Sequence, residues 1–244
     1  MALAAVLGAP RVRAAPEEIQ VYVDDMTTPG HFGLDVHNNY VFSGRELPEY
    51  PGEEPPAHVY RFTPEFYYGL SPQLELGLYL LATRSAAGQT RFDGAKLRLK
   101  FIAPHDEAHG AFWGVNLEAG RTSDRVAEYP WNVELKGIYG YRTSRWLIAA
   151  NLNLDRSLAR ADSTTAELDT KIACDVGHGV QLGGEFYDEL GRASDPGPLP
   201  QLSQAAYAVL DTEIAGVELN AGLGWGLTHV ADHVVLKFIV GHRF

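Results

Sequence analysis

The sequence predicts an all-β fold, a closed antiparallel up-and-down transmembrane β-barrel of about twelve strands, on three observations. Between Phe32 and Phe244 the chain divides into twelve strand-length segments whose apolar and polar residues alternate, the pattern of a pleated strand with unlike faces. The connections between these segments alternate between tight turns and longer polar loops. The composition of the 244 residues, with 25 Gly, 12 Tyr and 10 Phe, leans towards strands and turns.

Composition also excludes several classes. Hydrophobic residues make up 45% and charged residues 21%, which describes an ordered chain rather than a disordered tail. With 20 Lys+Arg against 31 Asp+Glu the net charge is -11, so no nucleic-acid partner is expected. A single cysteine, Cys174, forbids an intramolecular disulfide framework and a cysteine-based zinc cluster. No apolar stretch reaches the roughly 18 residues of a spanning helix.

Residues 1–15 read as the remnant of a signal peptide. The apolar run 2–9 has the length of a signal core, and Val12-Arg13-Ala14 offers a cleavage site, although no positively charged leader precedes them. Residues 16–29 read as an N-terminal periplasmic segment or a short extra strand. The alternation over 19–25 leaves an inward plug open as well. Residues 30–244 are assigned to the barrel.

The segments justify themselves in turn. In the first, Phe32, Leu34, Val36, Tyr40 and Phe42 oppose Asp35, His37 and Asn39. In the second, Phe62, Phe66, Tyr68 and Leu70 oppose Arg61, Thr63, Glu65 and Tyr67. Leu74, Leu76, Leu78 and Leu80 oppose Glu75 and Tyr79, and Leu97, Leu99 and Phe101 oppose Lys96, Arg98 and Lys100. The fifth to eighth segments set Trp113 and Leu117 against Glu118, Leu135 and Tyr139 against Glu134 and Lys136, Leu152 against Asn153 and Asp155, and Ile172 against Asp169 and Lys171. The last four set Leu182 and Phe186 against Glu185, Ile214 against Asp211 and Glu213, Leu223 and Trp225 against Asn220, and Phe238 and Val240 against Lys237 and Arg243.

Short turns at 71–73, 105–109, 143–145, 177–179 and 215–216 define one end. Loops at 44–59, 84–90, 122–130, 160–165 and 191–203, with the shorter 229–233, define the other. Short turns at one end and long loops at the other are the layout of a membrane barrel. Twelve strands with apolar side chains turned inward would enclose a wide greasy cavity, whereas turned outward they are solvated by lipid. Outward aromatics also fall in two bands: Tyr40, Phe42, Trp131 and Trp225 towards the long loops, and Phe66, Tyr68, Tyr139, Tyr141 and Trp146 towards the turns.

The chain thus resembles the outer-membrane β-barrel proteins of Gram-negative bacteria, over residues of about 30 to 244. The most specific element is the last segment, in which Phe238, Val240 and the terminal Phe244 alternate, with His242 departing from the apolar residue often found there. The resemblance implies an outer-membrane location among lipids and lipopolysaccharide. It also implies recognition of that last strand by the barrel-assembly machinery. More loosely the chain is similar to small porin-like or transporter barrels, including the phenol-degradation-associated group.

On this reading the lumen carries Asp35, Glu65, Glu75, Glu118, Glu134, Asp155, Glu167, Asp169, Asp175, Glu185, Asp211, Glu213 and Glu218. Facing them are Arg61, Lys96, Arg98, Lys100, Lys136, Lys171, Lys237 and Arg243, five fewer bases than acids. The expectation is a small passive channel with a charged, net acidic lumen that favours cations. The alternative is a closed structural or binding barrel sealed by cross-strand pairs such as Glu65 with Lys96 or Arg98. A lipid hydrolase would use Asp35, His37, Asn39 and Ser43, which share a parity, but these face the lumen and no G-x-S-x-G elbow occurs. His37 reads as a hydrogen-bonded lumen residue. His229 and His233 read as a solvated turn, Gly222 to Gly226 as inward glycines relieving crowding, and the Pro- and Glu-rich loop 45–58 as an extended acidic surface. No motif asks for a cofactor or metal.

Overall fold

The structure is a computed structural model in which residues 18–159, 164–194 and 197–244 are described. Twelve strands follow one another: β1 (Phe32–Ser43), β2 (Tyr60–Ser71), β3 (Leu74–Arg84), β4 (Thr90–Ile102), β5 (Gly110–Thr122) and β6 (Trp131–Arg142), then β7 (Trp146–Ser157), β8 (Thr165–Gly177), β9 (Val180–Arg192), β10 (Gln204–Ile214), β11 (Val217–Gly226) and β12 (Val234–Arg243). Each pairs antiparallel with its sequence neighbour, and β1 pairs with β12 from Gly33↔Arg243 to Ser43↔Val234, closing the barrel. Strands of 10–13 residues match the roughly 9–11 that a tilted strand needs to cross a bilayer. Closure leaves no unpaired sheet edge, the condition for a sheet in hydrocarbon.

The two ends differ as the connections suggest. Ala215 and Gly216 both have positive φ, 53° and 79°, which makes the β10–β11 link a two-residue hairpin of the primed type. At the other end, residues 44–59 fold back over the barrel mouth. A three-residue 3₁₀ turn, Leu199–Gln201, interrupts the long β9–β10 connection.

Burial is inverted relative to a soluble protein. Leu97, Trp113, Leu135, Ile148, Leu152 and Trp225 are exposed, while Glu65, Arg98, Lys237 and Glu185 are buried to 3% exposure or less. Only lipid makes such a surface favourable. Phe42, Trp131 and Trp225 at the loop ends, and Phe66, Tyr139, Tyr141 and Trp146 at the turn ends, lie on this exposed face. Phe244 and Val240 of the terminal segment are exposed too, and Phe238 is partly so. The signal-peptide reading of residues 1–15 lies outside the described residues.

One parity expectation fails. Ser43 does not join Asp35, His37 and Asn39, because a bulge between Val41 and Ser43 shifts the β1–β12 register. It is exposed, with Oγ 3.3 Å from Nδ1 of His233. Residues 18–28 contribute no strand. They run inside the barrel, and the segment is tied to the wall by one isolated bridge, Pro29 with Gly69.

Candidate functional site: the barrel lumen

Most of the charged residues read from alternation as inward are buried, while Glu213 is exposed. His37, Arg61, Glu65, Glu75, Lys96, Arg98, Lys100, Glu118, Lys136, Asp155, Asp169, Lys171, Glu185 and Lys237 are buried. Asp35 and Glu134 are partly so, and Arg243 is at the exposed rim. They gather into three groups.

Across β1 to β4, Arg98 reaches Glu65 at 2.5 Å and Glu75 at 2.7 Å, and Lys100 lies 3.5 Å from Glu75. Glu65 and Arg98 are two strands apart. Gly77 of the intervening β3 makes the crossing possible, since a Cβ there would fall 2.7 Å from Arg98 Nε and 2.9 Å from Glu65 Oε1. Across β8 to β12, Lys171 pairs with Glu185 at 3.2 Å and Asp211 at 2.8 Å, and Lys237 pairs with Glu185, which also accepts from the Tyr187 hydroxyl. On β5 to β7 the register sets Glu118 opposite Glu134 and Glu134 opposite Asp155, an acidic row beside Lys136, which lies 3.4 Å from Glu134. At the turn end, Arg243 meets Glu218 at 2.6 Å.

The N-terminal segment threads between these groups. Asn151 treats Tyr22 as a neighbouring strand would: its Oδ1 accepts from the Tyr22 amide at 2.6 Å and its Nδ2 donates to the Tyr22 carbonyl at 3.0 Å. The Tyr22 hydroxyl meets that of Tyr79, and Lys136 Nζ sits 4.4 Å from the ring centroid, a cation–π contact. Lys237 donates to the Ile19 carbonyl at 3.0 Å, and the Thr27 amide donates to Glu75 at 2.8 Å. Asp24 is held by Arg142 and by His105, at 3.1 Å from the latter. Val21 and Tyr22 also pack against Ile102, Phe112, Ile138, Leu147, Ala149 and Ala173, an apolar patch on the inner wall.

Two cavities flank the segment. The one towards the long loops, about 200 Å³, has ten carboxylates and five Lys or Arg side chains in its lining. The one towards the short turns, about 460 Å³, has seven carboxylates and three Lys or Arg side chains. Gln20 belongs to both linings, so the segment lies between the cavities. The loop read as an extended acidic surface covers the first cavity. The Glu54 amide donates to the Arg125 carbonyl at 3.0 Å, Arg91 pairs with Glu54 at 3.0 Å, and Arg45 pairs with Glu53 at 2.6 Å. Burial opposes the charge on Arg45, but Glu53 and Glu49 outweigh it and raise the Arg45 pKa.

No family profile and no curated protein matches the sequence. Solved structures do. An outer membrane channel from Pseudomonas putida F1 superposes with a TM-score of 0.64 at 13% identity, covering 93% of this chain and 100% of that one. The KdgM porin superposes with a TM-score of 0.55 at 9% identity, covering 87% of this chain and 98% of that one. The chain has the outer-membrane β-barrel fold. In this outer-membrane β-barrel the exposed apolar face and the buried charged face are the two sides of one closed sheet.

Sequence reasoning missed the inner apolar patch. Phe112, Ile138 and Leu147 occupy the parity otherwise filled by polar residues, a break in pattern concentrated at the turn ends of β5 to β7. It also missed Asp24, His105 and Arg142, because their meeting requires the N-terminal segment to be inside. His229 is exposed. Gly224 lies under Tyr207, where a Cβ would fall 2.2 Å from the ring.

Proposed function

We propose that this barrel resides in the outer membrane and acts as a narrow, non-enzymatic passive channel that prefers cations and is closed at its waist by its own N-terminal segment. The carrying observation is the pair of cavities at opposite ends that share Gln20 in their linings and are parted by coil rather than by strand. Coil held to the wall by side chains can shift without breaking the barrel's hydrogen-bond ladder. Acid-rich linings on both sides lower the cost of a cation and raise that of an anion. The surroundings belong to the same proposal: lipid and lipopolysaccharide against the apolar belt, and the assembly machinery reading the strand that ends in Phe244.

A sealed barrel is the competing reading, favoured by the near-complete burial of Tyr22, Tyr79, Arg98 and Glu65 at the waist. Conductance of the refolded full chain in a planar bilayer under a salt gradient separates the two. Small discrete steps with a cation-selective reversal potential are expected. A silent bilayer from protein whose heat-modifiable gel migration proves it folded would overturn the channel.

A further inference from the structure

We infer that the inner wall of β1 and β2 holds a divalent transition-metal site built from Asp35, His37 and Glu65. One potential ligand atom from each of the three lies within 4.8 Å of the others. The register explains the meeting: Asp35 is directly opposite Glu65, and His37, two residues on, shares the Asp35 face.

The surroundings are arranged as a ligand set needs. Each carboxylate has one oxygen held by a side chain outside the trio. The Tyr67 hydroxyl donates to Asp35 Oδ1 at 2.9 Å, leaving Oδ2. Arg98 holds Glu65 Oε1 at 2.5 Å, and Oε2 is hydrogen-bonded to His37 Nε2 at 3.3 Å, a contact inside the trio that a bound ion would replace. Partners of this kind orient metal ligands from behind. The imidazole is 2% exposed, yet its Nδ1 has no hydrogen-bond partner, so the ring has a nitrogen to spare. Gly241, opposite Asp35 on β12, leaves room for the Asp35 carboxylate, since a Cβ there would fall 2.5 Å from Oδ1. Asp35 lines the turn-end cavity, which gives an ion its way in. One imidazole with two carboxylates suits zinc and similar first-row ions, whereas calcium and magnesium prefer oxygen alone.

Calorimetric titration of the refolded full chain with zinc chloride tests this without depending on conductance, so its failure is distinct from failure of the channel. One tight equivalent is expected. Asp35→Asn and His37→Ala should each weaken it at least tenfold, while the double variant His229→Ala with His233→Ala leaves it unchanged. Should His37→Ala fail to give the heat-modifiable band, the partly exposed Asp35→Asn decides alone. X-ray absorption of the loaded protein should show nitrogen and oxygen donors at about 2.0–2.2 Å, one imidazole and no sulfur. No uptake by folded protein, equal uptake by the folded Asp35→Asn and His37→Ala variants, loss in the His229 and His233 variant, or a sulfur shell would each overturn the site.

Discussion

Leu152 and Asn153 are consecutive residues of β7 that face different solvents. Leu152 is exposed on the lipid side, and Asn153 is buried, donating to Asp169 at 2.6 Å beside the loop-side cavity. Leu152→Arg places a charge in hydrocarbon and should lower unfolding stability by about 2–4 kcal/mol near the midplane. Asn153→Arg places the same charge beside Asp169 and opposite Glu167 in the register, and should cost far less. Urea unfolding of both variants in micelles measures the difference, and equal losses would mean the faces are reversed. This much was legible in the sequence, because a period of two fixes every side chain's face once one is known. The ion-pair partners were not. Lys237 meets Glu185 across three strands of a curved wall, and Arg98 meets Glu65 over the vacancy at Gly77. Such pairs depend on curvature and on a missing side chain, which alternation does not encode.

Among elements, the strands and the N-terminal segment show opposite kinds of legibility. Aromatics facing inward sit opposite glycines in the ladder: Tyr67 opposite Gly33, Phe112 opposite Gly140, Tyr207 opposite Gly224. In each case a Cβ on the glycine would fall within 2.3 Å of the ring. Of these, only Gly224, within the run Gly222 to Gly226, was legible from the sequence as relief of crowding; Gly33 and Gly140 were not. Residues 19–25 alternate as well as any strand, yet they pair with none. Side chains of the lumen take the place of a strand partner at the Tyr22 amide and carbonyl, held by Asn151, and at the Ile19 carbonyl, held by Lys237, so the local pattern could not tell a strand from a plug. Asn151→Ala removes both bonds to Tyr22 while leaving the β7 ladder intact. In bilayers it should raise mean single-channel conductance or open time relative to the unaltered chain, and an unchanged record would mean the segment is not the closure.

At the scale of the whole molecule, closure decides everything else. β12 pairs with both β11 and β1, so it completes the ladder of each. Deleting residues 234–244 would leave two unsatisfied edges in hydrocarbon, and the truncated chain should yield no heat-modifiable band on gels where the full chain does. A folded truncated barrel would show that closure can be made without β12.

By itself the sequence determined the strand count, the two unlike ends, the lipid-facing side and the charged interior. All follow from a period-two pattern and from loop lengths, both written locally in the chain. The tertiary structure decided what the interior holds: a coil threaded through the waist, a loop folded over the mouth, two acid-lined cavities, and Asp35, His37 and Glu65 drawn together. Those contacts join residues distant in sequence across a closed and curved sheet, and only closure brings them within reach.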